Sequence, residues 1–317
     1  MRPLDAPIAE SGHCRSGWFR ARRMALLIGL FAIGALIVTW PLGRDMSHQL
    51  VDEGDPLLYS WVIEWVHWAL LNSPSQLFSP PIFYPEKWAL TYSDTLLLPA
   101  TLVMPVLALG GSGILAHNIL LLLSFVLTGV FFYWMCRELC LGHGASIVGA
   151  VLFAFSTFRM DFSHLQLSQV QYFPLQVLFL NRFFRLRMTR DLLLSWGAVL
   201  ATILSCSYYG VYAVLLMAIL HLFYLCSQLR GLSLRTLLTI AGAPTPVYAA
   251  ILLSTCHIGR RSYSMALSAD SARCVPTAPT FSHMRTPATT TSACRRSGDG
   301  STQGCAKLSA PGLSRWY

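Results

Sequence analysis

Long apolar runs, separated by short groups of polar and basic residues, fill the chain from residue 24 to about residue 255. Each run is long enough, or nearly so, to cross the roughly 30 Å hydrocarbon core of a bilayer as an α-helix. The runs cover residues 24–42, 114–135, 145–160, 170–184, 192–208, 211–227 and 236–254. The pattern predicts an all-α, polytopic membrane protein with about seven transmembrane helices, because only helices and closed barrels can cross lipid.

The arginines between the runs predict the orientation of the chain, because cytoplasmic loops of membrane proteins carry an excess of Lys and Arg. Residues 96–109 are apolar but short, and Pro99 and Pro105 interrupt them, so we expect this stretch to dip into the outer leaflet without crossing. The N-terminal segment 1–23 then lies in the cytoplasm, and residues 43–113 form one long external segment. The loop arginines that this assignment also leaves in the cytoplasm are Arg182, Arg185, Arg187, Arg190, Arg230 and Arg235.

The external segment combines acidic residues with an aromatic helix. Residues 56–72 place Leu57, Trp61, Trp65 and Trp68 on one face at helical spacing. Tryptophan is enriched at the headgroup level of membranes, so this helix is expected to lie on the membrane surface. The segment also holds half of the fourteen acidic residues of the chain, namely Asp45, Asp52, Glu53, Asp55, Glu64, Glu86 and Asp94.

Residues 256–317 differ from the rest of the chain. They are rich in Ser, Thr, Ala, Arg and Cys and show no periodic apolar pattern, so we expect them to be disordered. An abrupt loss of membrane patterning is also what a shift of reading frame would produce. The expected organisation is therefore a cytoplasmic segment 1–23, a transmembrane domain 24–255 and a disordered or frameshifted tail 256–317. A frameshift would leave a truncated, inactive fragment.

The composition agrees with a membrane protein and excludes several function classes. Hydrophobic residues make up 54% of the 317 residues and charged residues 12%, against about 25% charged in ordinary soluble proteins. The net charge of +9 is spread over short groups, so nucleic acid is not an expected partner. The chain has no phosphate-binding glycine loop, and Cys136 and Cys140 lack the second pair that a zinc site needs.

Asp55 is the first candidate for chemistry. It precedes Pro56 at the start of the predicted helix, which favours a role as N-cap. A general base at the membrane surface is the second interpretation, and both roles can hold together because a capping carboxylate is fixed in place. Asp52 and Glu53 lie beside it, and adjacent carboxylates can take up a proton or bind a divalent cation. A solvated acidic loop is the simpler alternative.

A second polar cluster lies in the predicted external loop between the third and fourth spans. Arg159 could bind a phosphate, and Asp161 or His164 could assist proton transfer. Gln166 and Gln169 add two amides to the same loop. The alternative is an ordinary interfacial loop in which Arg159 pairs with Asp161. Two polar clusters facing one compartment together favour a site.

Several stretches, taken in order, resemble the GT-C class of membrane glycosyltransferases. They are D-E-G-D-P-L-L-Y-S-W-V-I-E-W, L-F-S-P-P-I-F-Y-P, A-H-N-I-L-L-L-L-S-F-V-L-T-G, G-A-V-L-F-A-F-S-T-F-R and H-L-Q-L-S-Q-V-Q-Y-F-P-L. The order of these stretches and the predicted topology carry the resemblance more than any single motif. It covers about residues 24–255 and implies an integral protein of a bacterial inner (plasma) membrane with a cytoplasmic N-terminus. Members of the class are usually longer, with more spans.

The resemblance also implies a reaction. A sugar linked to polyprenyl phosphate would be transferred to a glycan or lipid acceptor on the external face of the bilayer. Asp55 best matches the first-loop carboxylate that acts as a base or organises a metal, with Asp52 and Glu53 as alternates. The tryptophan-bearing helix, with Trp61 and Trp65, would hold the headgroup of the donor beside these acids.

The second polar cluster would complete the substrate site in this interpretation. Arg159 would meet the charge of the departing lipid phosphate, and Asp161, His164 and Gln169 would contact the substrates. The main alternative is a non-enzymatic polytopic protein, such as part of a transporter or flippase, or an assembly scaffold. Transporters place polar groups and broken helices near the bilayer midplane. Here the acids lie at the surface, which favours the enzyme.

Overall fold

The computed structural model describes residues 17–52, 54–83, 88–228 and 234–245. These residues belong to the first of two compact units, Met1–Ser264. They are helical, and no β-strand occurs among them. Glu53, most of the segment 1–23 and the whole of the tail 256–317 lie outside the described residues.

The described part of the chain contains ten α-helices, joined in places by short 3-10 turns. They are α1 Gly17–Val38, α2 Asp55–Asn72, α3 Leu97–Leu102, α4 Met104–Ala108, α5 Gly113–Glu138, α6 His143–Ala154, α7 Tyr172–Leu186, α8 Thr189–Ser205, α9 Ser207–Gln228 and α10 Leu234–Gly242. The turns that matter below are Ala89–Tyr92, Thr157–Met160 and Leu165–Ser168.

Two of the described helices, Gly113–Glu138 and Ser207–Ser227, are long and apolar enough to cross a membrane. A third, α6, is apolar but has only 12 residues. The predicted run 145–160 is therefore shorter as a helix than expected, because the α-helix ends at Ala154 and the chain turns into the 3-10 segment Thr157–Met160. The predicted helical class is confirmed, together with two candidate membrane-spanning helices.

Helix α5 packs against α1, α2, α6 and α7 and is the centre of the described helices. Glycine permits the closest of these approaches, because a Cβ atom on Gly129 would collide with the ring of Phe31 on α1. On its other side, α5 contributes the fully buried Leu121 and Phe125 to a core shared with Ile63 of α2. This packing fixes the position of α2 relative to the longer helices.

The stretch 96–109 does not form a single helix. It divides at Val103 into α3 and α4, of six and five residues, which are too short to cross a bilayer. Helix α3 is packed inside the protein. Leu96 and Ala100 are fully buried, and α3 packs against α2 and α8.

Side-chain contacts show that successive long helices alternate in direction. Arg23 lies 3.4 Å from His143, which joins the start of α1 to the start of α6. Arg185 pairs with Glu138, which joins the end of α7 to the end of α5. The basic end of the helices, as defined by these contacts, carries Arg22, Arg23, Arg137, Arg182, Arg185, Arg187 and Arg190. The opposite, acidic end carries Asp45, Asp52, Asp55, Glu64, Asp94 and Asp161.

Candidate active site at the acidic end

Asp55 lies in the first turn of α2 and does not cap it. The N-cap position is Gly54, which has no side chain to cap the helix. The predicted capping role of Asp55 is therefore wrong, because the helix begins one residue earlier than Pro56. Its carboxylate instead contacts His164, with 3.2 Å between Asp55 Oδ2 and His164 Nε2. Both side chains stay partly exposed, at 48% and 39%.

His164 is held from its other side by the loop that follows α6. Its Nδ1 lies 2.7 Å from Ser163 Oγ and 3.7 Å from a carboxylate oxygen of Asp161. The hydroxyl and the backbone N–H of Ser163 both donate to Asp161, and these bonds lower the pKa of Asp161. Because Asp161 accepts the hydroxyl hydrogen of Ser163, the bond between Ser163 and His164 is donated by Nδ1–H. Nε2 is then the nitrogen that faces the carboxylate of Asp55.

An aromatic cavity of about 580 Å³ opens beside this Asp–His pair. Small-molecule sites commonly measure about 300–1,000 Å³. The lining residues come from α2, the segment before α3, the loop after α6 and the start of α9. They are Asp55, Tyr59, Tyr92, Ser93, Asp94, Phe158, His164, Gln166, Leu167, Tyr208, Tyr209 and Tyr212. Five tyrosines and one phenylalanine give stacking faces, and the acids and amide give hydrogen-bond partners for a polar ligand.

Tyr59 forms the wall of this cavity between α2 and the segment before α3. Its hydroxyl lies 3.1 Å from Ser93 Oγ, and the side chain is only 3% exposed. Burial raises the pKa of Tyr59 to about 12. The phenol therefore keeps its hydrogen at any physiological pH and remains a neutral hydrogen-bonding group.

Arg159 is not in the cavity, contrary to the sequence-based expectation that it binds phosphate. It is 3% exposed, and its guanidinium donates to Ala154 O at 2.7 Å, Ser124 Oγ at 2.9 Å and Ser168 O at 3.0 Å. The ring of Phe125 lies 4.2 Å from its guanidinium carbon. Burial lowers the pKa of Arg159 to about 10. The expected pairing with Asp161 is also absent among the described ion pairs, and Arg159 ties α5 to the loop after α6.

The two glutamines of the loop are divided between cavity and interior. Gln166 lines the cavity. Gln169 is 1% exposed and faces the protein, where it donates to Leu165 O at 3.3 Å and accepts from Gln171 at 2.9 Å. The prediction that Gln169 contacts substrate is therefore not supported by its position.

None of the three tryptophans of α2 lines the cavity that contains His164. Trp61 stacks on Trp65 with ring centroids 6.2 Å apart, and the indole N–H of Trp65 donates to Leu77 O at 2.8 Å. Trp61 also lines an open groove of about 790 Å³ with Glu64 and Ile82. Apart from Glu64 and two serines its lining residues are apolar or glycine. Trp65 therefore anchors the chain after α2, and only Trp61 faces the groove.

Asp52 is exposed at the acidic end, three residues before Asp55, and Glu53 lies outside the described residues. Within the described ranges no group of three or more His, Cys, Asp or Glu side chains is arranged to hold a metal ion. None of the steps proposed below passes through a metal.

Asp94 is a cavity residue that the sequence did not single out. Its Oδ1 accepts from the backbone N–H of Ser207 at 2.7 Å, which joins the segment before α3 to the first residue of α9. The two residues are 113 positions apart, so no local pattern could have paired them. The only available signal was its place among the acids of the external segment.

The site thus combines an Asp–His contact, an aromatic cavity and an apolar groove, and helix α2 lines both the cavity and the groove. Comparison of the chain with protein-family models, with curated proteins and with solved structures finds no match.

Proposed function

We propose that the chain is a polytopic protein of a bacterial inner membrane, with about seven transmembrane helices and its basic end in the cytoplasm. The alternation of α1, α5, α6, α7, α8 and α9 supports this topology, because each reverses the direction of the one before it. The concentration of arginine at one end and carboxylates at the other supports the orientation. The seventh span, 236–254, begins in α10 and continues beyond the described residues.

The proposed activity is transfer of a sugar from a polyprenyl-phosphate donor to a glycan or lipid acceptor at the external face. The observation that carries this proposal is the contact of Asp55 with His164 inside the aromatic cavity. Aromatic faces suit the apolar faces of a sugar ring, and a carboxylate suits the hydroxyl that must lose a proton. The groove lined by Trp61 and Ile82 suits the apolar chain of the lipid.

Asp55 acts as the general base in this reaction. It takes the proton of the acceptor hydroxyl while that oxygen bonds to the anomeric carbon of the donor sugar. The bond between this carbon and the phosphate oxygen breaks, and its electron pair leaves with polyprenyl phosphate. His164 Nε2, 3.2 Å from Asp55, shares the transferred proton and orients the carboxylate. The partial exposure of both side chains lets the proton pass to water, which resets the pair.

The phosphate of the donor does not meet Arg159, which is buried. Tyrosine hydroxyls can bind the phosphate in place of Arg159. Tyr92 and Tyr208 line the cavity and are 58% and 68% exposed. Together with Tyr212, they would stabilise the leaving group through hydrogen bonds instead of an ion pair. The hydroxyls of Tyr59 and Tyr209 already bond to other protein groups.

A substitution of His164, compared with a matched histidine, tests this function. Membranes containing the full-length protein are incubated with polyprenyl-phosphate-linked radiolabelled sugars, and release of free polyprenyl phosphate is measured. His164→Gln should lower the rate by about 100-fold, the middle of the range for general acid–base groups. His48→Gln is the control, because His48 pairs with Asp45 at 2.8 Å outside the cavity. Absence of donor turnover by the wild type with every polyprenyl-linked sugar would overturn the proposal.

A further inference from the structure

Asp94 is the most deeply buried acid of the cavity. It is 4% exposed, although it lies between the exposed Tyr92 and the cavity wall formed by Tyr59. The segment around it is fixed by the buried Leu96 and by the start of α3. A carboxylate is costly to bury unless its oxygens accept hydrogen bonds.

One oxygen of Asp94 has a clear partner. Oδ1 accepts from the backbone N–H of Ser207, at 2.7 Å, at the beginning of the 22-residue helix α9. The free N–H groups and the dipole of a helix start stabilise a negative charge there. This contact orients the side chain and gives one of its two oxygens a hydrogen-bond partner.

The other oxygen, Oδ2, is buried and has no strong hydrogen-bond donor among the described residues. The hydroxyls nearest along the wall, those of Tyr59 and Ser93, bond to each other. The thiol of Cys206 also lies within hydrogen-bond reach of the Asp94 carboxylate, but thiols are weak donors. A buried carboxylate oxygen without a strong donor is stabilised by a ligand that donates a hydrogen bond to it.

The described cavity lining contains no Lys or Arg, so no cation of the protein faces Oδ2. The same cavity holds Asp55, which with His164 is assigned to proton transfer. Asp55 is 48% exposed and at the rim, whereas Asp94 is rigid and deep. The two carboxylates are therefore suited to different tasks.

We propose that Asp94 is a sugar-recognition residue, whose Oδ2 accepts a hydrogen bond from a ring hydroxyl of a neutral glycoside bound in the cavity. The inference rests on the proposed function in taking a sugar as the ligand. It adds that selection among sugars depends on the presence and position of that hydroxyl. A site that hydrogen-bonds a substrate hydroxyl rejects the analogue that lacks it, because the buried acceptor is then left unpaired.

Binding of simple glycosides to the full-length protein in nanodiscs tests this assignment. Saturation-transfer NMR measures the affinities of methyl hexosides and pentosides and of their singly deoxygenated analogues. Loss of one particular hydroxyl should weaken binding by about 10- to 100-fold, as expected for a hydrogen bond to a charged group. Asp94→Asn should bind the parent glycoside as weakly as the wild type binds that deoxy analogue, and should show no further loss with the analogue.

Asp45→Asn is the matched control, because Asp45 lies at the same end with its side chain 43% exposed and paired with His48. It should bind every glycoside as the wild type does. If Asp94→Asn unfolds on thermal melting, Asp94→Glu replaces it, and its longer side chain should change which deoxy analogue is rejected.

Three results would overturn the inference: equal affinities of the wild type and Asp94→Asn, no dependence on any single hydroxyl, or binding of amino sugars only. Binding of amino sugars only would indicate that Asp94 pairs with a positively charged group of the ligand. The donor-turnover assay separates this inference from the proposed function. Turnover with unchanged sugar selection in Asp94→Asn refutes the inference alone, whereas hydroxyl-dependent binding without any turnover refutes the proposed activity alone.

Discussion

Replacement of Arg159 by lysine should destabilise the protein strongly, although it keeps the charge. The guanidinium makes three hydrogen bonds, to Ala154 O, Ser124 Oγ and Ser168 O, from two different nitrogens. Its flat face also lies 4.2 Å from the ring of Phe125. A lysine ammonium is a compact point charge without the planar, forked donors of a guanidinium. Lysine can therefore replace only one of these bonds while remaining buried.

The magnitude follows from the bonds that are lost. Two hydrogen bonds to a charged group, at about 1.5 kcal/mol each, correspond to a loss of about 3 kcal/mol, or roughly 150-fold in the unfolding equilibrium. Unpaired carbonyl oxygens at Ala154 and Ser168 act in the same direction.

Reversible unfolding in SDS, followed by tryptophan fluorescence, measures this difference. Arg44→Lys is the control, because Arg44 is exposed and only contacts the ring of Trp40, at 4.7 Å. It should change the free energy of unfolding by no more than about 0.5 kcal/mol. A change of that small size for Arg159→Lys would show that the buried guanidinium does not hold the loop after α6.

Three further results are expected. Gly129→Leu should lower the free energy of unfolding by about 1–3 kcal/mol, because the new side chain would collide with α1. Gly197→Leu is the control and should not lower it, because Gly197 has open space around it. Equal effects of the two substitutions would contradict the close packing of α5 on α1. The pKa of Tyr59 is about 12 in the folded protein and near 10.0 in the unfolded chain. Between pH 10 and 12 only the unfolded chain loses this proton, so the free energy of unfolding should fall as the pH rises. That fall should shrink in Tyr59→Phe, and an identical pH profile would contradict it. In a cysteine-free background, Gln76→Cys should react with an impermeant maleimide from outside intact cells and Gly144→Cys should not; the reverse pattern would refute the orientation.

The helices were predictable because they follow from local pattern. Spacing of Trp61, Trp65 and Trp68 marked α2 to within one residue of its observed start. The apolar runs 114–135 and 211–227 marked α5 and α9, with ends that differ from the observed ones by up to four residues. Where a helix ends inside an apolar run, as at Ala154, hydrophobicity carries no signal, and the third predicted span was too long for that reason.

The site was only partly predictable, because its contacts join distant segments. The predicted topology alone assigned Asp55 and His164 to the same side of a membrane, but their pairing depends on how α2 packs on α5. The position of Arg159 depends on acceptors on α5 and α6, so its residue type suggested phosphate while its surroundings make it structural. The position of Asp94 depends on its hydrogen bond with the backbone N–H of Ser207, 113 residues further along the chain.

The central claim is that Asp55 is the general base of sugar transfer. Its most direct test compares the transfer rates of Asp55→Asn and Asp45→Asn at equal protein abundance. Both changes remove one carboxylate from the acidic end, but only Asp55 contacts His164 in the cavity. Asparagine cannot take the proton of the acceptor hydroxyl, so the rate of sugar transfer from polyprenyl phosphate should fall by at least about 100-fold. Asp45→Asn should retain the wild-type rate. Wild-type transfer by Asp55→Asn would contradict the assignment of Asp55 as the base and remove the Asp55–His164 pair from the reaction.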